Sequence, residues 1–364
     1  MHMADALISP VVGGTMWVVT SGLLMGCARK VKATLDDRLI PMMGVLGAFI
    51  FTAQMINFSI PVTGSSGHLG GGLILTILLG PYAAFLVIAS VLTVQALMFA
   101  DGGLLALGCN IFNLGFFPAF IAYPLFYKLI AGNNRIGARA WMAALVAGII
   151  GLQLGAFGVV VETRMSGISE LPFKTFVLIM QPIHLAIGIV EGLATAVVVA
   201  FVARARPEAL DRLSGVKVET DLRAASGTVM GRIGTDRARN SRSVLIYLSV
   251  VAVILGGVAS WFASTNPDGL EWSIAKVTGK GELAGAKDAV HANLAAVQSK
   301  TAILPDYGFK DSQKGKVLPE PAGTPPESIP AGMAGTSVSG LVGGSLTLVL
   351  TVLIGLALKA RIKP

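Results

Sequence analysis

Charge is scarce in this chain. Only 13% of its 364 residues are Asp, Glu, Lys or Arg, while 54% are hydrophobic. That balance excludes an ordinary soluble domain. Cysteine is nearly absent too, and Cys27 and Cys109 both fall inside apolar stretches. No disulfide framework is expected, and each thiol reads as a small hydrophobe. Walker A spacing is missing: Gly279-Lys280-Gly281 and Gly315-Lys316-Val317 lack both the glycine register and the Ser or Thr after Lys. Work driven by ATP would therefore need another chain. No His-Glu-x-x-His zinc-protease motif occurs either. The N-terminus lacks the basic and apolar regions of a cleavable signal peptide, so Met1 is expected to remain as the mature terminus. The bulky His2 protects it from trimming once the initiator formyl group has gone.

What is present is a series of long apolar runs. About 20 helical residues cross roughly 30 Å of hydrocarbon, and several runs reach that length. The expected fold class is all-α, a polytopic helical membrane protein. Forty-four glycines agree with it, because helices in lipid associate through small residues. The net charge of +8 comes from basic residues in loops beside apolar segments, which suits membrane topology better than nucleic-acid binding.

Taken in order, Val11 to Ala28 forms the first span and ends at Arg29, Lys30 and Lys32. Basic residues favour the cytoplasmic side, which puts Met1 outside. Gly22 and Gly26 suit close packing with a neighbouring helix. Ile40 to Ile60 returns outward, stops at Pro61 and delivers Thr63 to His68 to the side of Met1. Leu69 to Gly80 is a short helix stopped by Pro81. Tyr82–Ala100, Leu104–Ile130, Trp141–Val161 and Thr175–Val202 follow as spans, with a polar turn from Glu162 to Lys174. Residues Arg204 to Arg242 carry nine basic and five acidic side chains and read as a basic cytoplasmic linker. Val244–Ala263 and Leu341–Leu358 are the last spans, and Lys359, Arg361 and Lys363 place the C-terminus inside. The expected domains are 1–205 with about seven segments, the linker 206–242, and a two-helix module 243–364 with an external loop 264–336.

Chemistry concentrates at two places. Met1-His2 offers a terminal amine, an ionisable backbone amide and an imidazole. Amine and amide close a five-membered ring on a metal, and the His2 imidazole closes a six-membered one. His68, in the loop Thr63-Gly64-Ser65-Ser66-Gly67-His68, adds a fourth nitrogen. Tetragonal nitrogen coordination suits Ni(II) or Cu(II), whereas Zn(II) prefers a tetrahedron. Binding must displace protons from the amine and the amide, so affinity falls in acid. Asn57, Thr63, Ser65 and Ser66 are candidates to hold the ligand imidazoles by hydrogen bonds. The bland alternative is a disordered His2 and a His68 that caps the next helix. Against it, the charge rule brings both histidines to one side without having used either. His184 and Glu191, seven residues apart, share a helical face inside the membrane, as a structural or a functional pair. His291, in the external loop, reads as solvated.

These residues resemble the nickel/cobalt substrate-binding S components of energy-coupling factor (ECF) transporters, the CbiM/NikM family. The likeness rests on Met1-His2-Met3-Ala4-Asp5-Ala6-Leu7, Gly64-Ser65-Ser66-Gly67-His68-Leu69-Gly70-Gly71 and Leu79-Gly80-Pro81-Tyr82-Ala83-Ala84. It continues through Gln95 to Gly103, Asn110-Ile111-Phe112-Asn113, and His184 to Ala194. Pro267-Asp268-Gly269-Leu270-Glu271-Trp272 and Leu304-Pro305-Asp306-Tyr307-Gly308-Phe309 resemble the small N component, here fused. The resemblance implies a metal held by Met1, His2 and His68, a transmembrane coupling (T) subunit and cytoplasmic ATP-binding subunits as partners, and residence in the bacterial inner membrane. It implies transported Ni(II), or Co(II), no enzymatic activity and no cofactor. Asp268, Glu271 and Asp306 would give weak oxygen contacts or serve as turn and cap residues. Two readings from other classes compete. One is an intramembrane serine protease using Ser66 in Gly64-Ser65-Ser66-Gly67 with His184 as base. The other is a metal sensor signalling through the linker.

Overall fold

The structure, a computed structural model, describes residues 2–36, 38–132, 136–169, 171–205, 243–279, 283, 285–286, 288–310 and 329–360. Met1 and the expected linker 206–242 lie outside these.

The described residues are mostly helical: a polytopic helical membrane protein. A short turn, Asp5–Leu7, leads into α1, Pro10–Thr34. Ser9 starts α1 by accepting the Val12 amide at 3.4 Å, and Pro10 fits the first helical position because its missing N–H is not needed there. Next come α2 (Leu39–Gln54), a hairpin of β1 (Phe58–Ile60) and β2 (Ser65–Gly67), α3 (Gly72–Leu79) and α4 (Pro81–Phe99). Then follow α5 (Leu107–Ala131), α6 (Ala138–Ser166), α7 (Phe173–Ala205) and α8 (Ser243–Gly257). The last are α9 (Gly269–Thr278), α10 (Ala289–Thr301) and α11 (Ile329–Ala360).

Among the described residues six helices are long and apolar enough to cross a membrane: α1, α4, α5, α6, α7 and α11. Large apolar side chains such as Val18, Leu178 and Leu353 face outward from them, as a lipid boundary requires. The expected second span is shorter than its apolar run. Helix α2 stops at Gln54 after 16 residues, about 24 Å. The rest of the run, Phe58–Ile60, pairs antiparallel with Ser65–Gly67 instead. Similarly α8 ends at Gly257 and yields to a turn at Ala259–Phe262, short of the expected Ala263. The expected polar turn at Glu162 is still helix: Glu162 is buried and accepts from Asn113 Nδ2 at 2.7 Å, so α6 runs on to Ser166.

Glycines set the closest approaches, though not those expected. Among the described residues, nothing outside their own helix lies within 4 Å of where a Cβ would sit at Gly22 or Gly26. Instead α6 and α7 meet backbone to backbone, since a Cβ on Gly192 would fall 2.5 Å from Leu145 Cα. The same contact joins α8 to α11, where a Cβ on Gly340 would fall 2.4 Å from the Gly256 carbonyl. Helix α11 also packs along α2, which binds the second module to the first through a shared buried core.

The end of the bundle that carries the hairpin is covered by the segment around α9 and α10. There the chain zips onto the hairpin. The Ser66 amide donates to the Pro267 carbonyl at 2.8 Å, the Ser66 hydroxyl to the Asn266 carbonyl at 2.8 Å, and the Ser264 amide to the Asn57 carbonyl at 2.7 Å.

Candidate metal centre

The hairpin's last residue passes the chain to His68, and a run of buried polar groups fixes it there. Gln54 Nε2 donates to the Gly70 carbonyl at 2.8 Å, and Gln95 Nε2 donates to Gln54 Oε1 at 2.9 Å. From α7 the Glu191 carboxylate accepts the Gly70 amide at 2.8 Å and the Gly71 amide at 3.0 Å. Gly71 takes a φ of +74°, which L side chains adopt only with strain, and a Cβ there would also strike Ile50. Glu191 therefore holds the His68 loop and does not pair with His184.

The N-terminal segment is pinned as closely. Met3 exchanges two hydrogen bonds with Asn110, its amide donating at 2.8 Å and its carbonyl accepting at 3.2 Å. The same carbonyl accepts the Gly103 amide at 2.9 Å, and Asp5 accepts the Ala106 amide at 2.9 Å. His291 Nε2 donates to the carbonyls of Asp5 and Ile8 at 3.1 and 3.0 Å. His291, expected to be solvated, is thus 95% buried against the first eight residues, at 5% exposure.

These constraints bring His2 and His68 together. Their rings lie within 6° of parallel with centroids 5.0 Å apart. The His2 side chain is 7% exposed, its Nδ1 sits 3.1 Å from Asp101 Oδ1, and its Nε2 is buried with no hydrogen-bond partner among the described residues. His68 turns Nδ1 to the Leu69 carbonyl at 3.0 Å. Burial pushes His68 down to about 3, so its imidazole is neutral and keeps a lone pair for a metal at physiological pH. Asp101 stays below the usual carboxylate range: burial would raise it, but His2 and the Tyr307 hydroxyl hold it down. Among the described residues no three His, Cys, Asp or Glu side chains converge as a metal site.

The four expected supporting side chains do not bond to the imidazoles. Thr63 and Ser65 bond to one another at 2.9 Å and brace the turn of the hairpin. Ser66 is clamped to the second module, and Asn57 contributes its carbonyl to Ser264. Direct support for the imidazoles comes from Asp101 and Leu69, and for the loop from Gln54, Gln95 and Glu191. Sequence reasoning found Glu191 but not its partner, and missed Asp101 and Gln54. The signal for Gln54 was a polar residue inside an otherwise apolar run.

The Pro267-Asp268-Gly269-Leu270-Glu271 segment acts as a helix start. Asp268 accepts the Leu270 and Glu271 amides, both at 2.8 Å, while Glu271 accepts the Asp268 amide at 3.2 Å. This reciprocal cap places Leu270 in the core and brings Asp268 beside His68. Burial would raise Asp268, yet the neighbouring His68 and its backbone donors hold it below the usual range. Gly269 touches α7 directly: a Cβ there would lie 2.6 Å from Ile183 and 3.3 Å from His184. His68, His184 and Asp268 share the wall of a cavity of about 10 Å³, the size of one water. A larger cavity of about 700 Å³, lined by His2, Asp5, His68, Asp101, Asp268 and Tyr307 among others, opens in front of them.

Ser66 and His184 do not form a nucleophile and base. The Ser66 hydroxyl donates to a carbonyl, and His184 Nδ1 is engaged with the Met180 carbonyl at 2.8 Å.

A polytopic bundle carrying two buried imidazoles in loops at one end, under a second module, has the form of a membrane component for metal transport. Residues 2–209 match the family model of CbiM, the cobalt uptake substrate-specific transmembrane region, and residues 242–360 match the PDGLE domain. The chain belongs to the CbiM family, a family of metal transporters rather than enzymes, with a PDGLE domain on the same chain. It is similar to the fused nickel transport protein NikMN of Rhodobacter capsulatus, 30% identical over 334 residues, covering 84% of this chain and 88% of that protein. The putative fused nickel transport protein NikMN of Archaeoglobus fulgidus is 36% identical over 212 residues, 58% of this chain and 68% of that one. The cobalt transport protein CbiM of Sorangium cellulosum is 31% identical over 232 residues, 60% and 98% of the two chains. A crystal structure of a truncated transition metal transporter superposes with a TM-score of 0.50 at 29% identity, covering 56% of this chain and 99% of that one.

Proposed function

We propose that the chain captures Ni(II) as the substrate-specific component of an ECF-type uptake transporter, with Met1, His2 and His68 as metal ligands. The observation that supports this best is the approach of the His2 and His68 imidazoles, 5.0 Å between centroids, in buried loops. Both rings sit on segments fixed by hydrogen bonds, so little ordering remains when an ion arrives. Terminal amine and His2 amide complete a four-nitrogen set, which suits Ni(II). The fused module favours nickel over cobalt, because the fused relatives carry nickel in their names. In this reading the hairpin end faces the outside of the bacterial inner membrane and the C-terminus the cytoplasm. A transmembrane coupling subunit and separate ATP-binding subunits supply the energy.

The test is Ni(II) and Co(II) titration of the purified full chain, beside His2→Ala, His68→Ala and a chain with one residue added before Met1. Loss of tight binding in all three, with a planar diamagnetic nickel spectrum, supports the reading. Unchanged binding by the extended chain removes the amine from the site and sinks the terminal chelate. Tighter binding of Co(II) than Ni(II) reassigns the cargo to cobalt.

A further inference from the structure

We propose that Tyr307, on the second module, is a positioning residue for the His2 imidazole and acts through Asp101. The inference rests on His2 being a metal ligand, as proposed above. The Tyr307 hydroxyl donates to Asp101 Oδ2 at 2.5 Å, and Asp101 Oδ1 lies 3.1 Å from His2 Nδ1. One carboxylate thus takes a proton from each module, one per oxygen.

The geometry behind this contact is specific. The Tyr307 ring lies against Phe99, 4.9 Å between centroids and 17° from parallel, with Phe51 at its edge. Asp306 and Tyr307 occupy left-handed backbone in succession, at φ +48° and +59°, a conformation that ordinary residues hold only when their surroundings demand it. On either side the second module grips the loop that carries Asp101. Gln298 Nε2 donates to the carbonyls of Ala96 and Gly102 at 2.9 and 2.8 Å, and the Leu304 amide donates to the Met98 carbonyl at 3.2 Å. The strained turn, the ring stack and the docked helix all place one hydroxyl on one carboxylate.

This matters because of which nitrogen Asp101 holds. With its Nδ1 proton committed to Asp101, His2 keeps its lone pair on Nε2, the buried nitrogen without a partner among the described residues. A ring closed on an ion by the His2 amide and imidazole needs Nδ1. Metal capture through that ring therefore exchanges the Asp101 contact for the ion. A carboxylate that already accepts from Tyr307 holds the His2 proton less tightly than one without that donor. Tyr307 thereby eases the exchange while keeping an anion beside the arriving cation, and the docked second module tunes how readily the first module loads.

Stopped-flow association of Ni(II) with the full chain tests this, using wild type, Tyr307→Phe, Asp101→Asn and the double variant. Phenylalanine keeps the stack on Phe99 and removes only the hydroxyl. Nitrogen-15 spectra of His2 in the metal-free chain give a second readout that does not depend on metal. The expected result is association slowed about tenfold in Tyr307→Phe, a His2 spectrum shifted further towards the Nδ1–H tautomer, and no further effect of Tyr307→Phe once Asp101 is Asn. Wild-type rates together with an unchanged His2 spectrum in Tyr307→Phe overturn the inference. So does an equal slowing in the Asp101→Asn background, which would assign Tyr307 a packing role. If His2→Ala binds Ni(II) as wild type does, the ligand assignment fails instead, and the His2 spectrum still decides whether Tyr307 positions the ring.

Discussion

Glu191 Oε2 accepts the Gly70 amide at 2.8 Å, two residues beyond His68 and 121 positions away in sequence. A carboxylate buried among helices and bonded to backbone amides holds the loop at a defined height. Replacing it by Ala leaves two buried amides unsatisfied, at a cost of about 1–3 kcal/mol each. Glu191→Ala is expected to lower the melting temperature in detergent and weaken Ni(II) binding at least tenfold. Glu191→Gln, which keeps one acceptor oxygen, should lose less of both. Equal losses in the two variants would show that acceptor geometry is not what holds the loop.

Ser66→Ala removes the hydroxyl bond to the Asn266 carbonyl but leaves the amide bond to Pro267. A neutral buried hydrogen bond contributes about 1 kcal/mol. The expected outcome is a small fall in thermal stability with metal binding retained, read from paired melting and titration experiments. Complete loss of binding would move Ser66 from clamp to ligand support.

Asp268→Ala deletes both cap bonds at the start of α9, worth about 1 kcal/mol in a typical helix. Its effect should be local: faster hydrogen exchange in Leu270 to Ile274, with the exchange of α4 and α6 unchanged. Asp268→Asn, a good cap without charge, should restore the protection. Failure of Asn to do so would mean that the charge beside His68, not the cap, is what counts.

His291 titrates upward from 6.5. Burial opposes its charge, but Asp288, 2.6 Å from Nδ1, and the carbonyls of Asp5 and Ile8 favour the protonated ring by more. The charged groups facing it are Asp288 and, through its carboxylate, Asp5. For a group raised on folding, the stabilisation is complete below about pH 6.5 and is lost as pH climbs through the folded value. The contact between α10 and the N-terminal segment should therefore loosen as pH rises above about 6.5, as measured by hydrogen exchange at Ile8. In His291→Gln that pH dependence should vanish. A persistent slope would point to another titrating group.

A larger side chain on Gly192 has nowhere to go, because α6 backbone occupies the space. Gly192→Leu is expected to destabilise the bundle by about 1–3 kcal/mol and, by shifting α7, to disturb Glu191 one residue away. Gly22→Leu, facing outward, should be tolerated by the isolated chain.

Much of this was legible in the chain itself. Apolar length gave the long helices, and loop charge alone placed His2 and His68 at one end, where the structure brings their rings together. The hairpin escaped notice because Phe58 to Ile60 continues an apolar run, and three residues carry too little periodicity to separate strand from helix. Asp101, Tyr307, Gln54 and Gln95 escaped for another reason. Their roles depend on side-chain directions across many tens of residues, which no local pattern encodes. His291 was misread because an exposed loop composition hid a helix cap, Asp288, that turns the ring inward. The hallmark around Asp268 was readable as a capping box, yet nothing in it told which surface the helix would cover.

Residues early in this chain are covered by residues far along it. His2 and Asp5 are made long before His291, Gln298 and Tyr307, which help to enclose them. Chains fold as they are made, N-terminal parts first. The pocket around His2 therefore closes only after α1 and α4 to α7, five of the six long apolar helices among the described residues, have been made. A chain halted before residue 288 carries both histidines but not their roof.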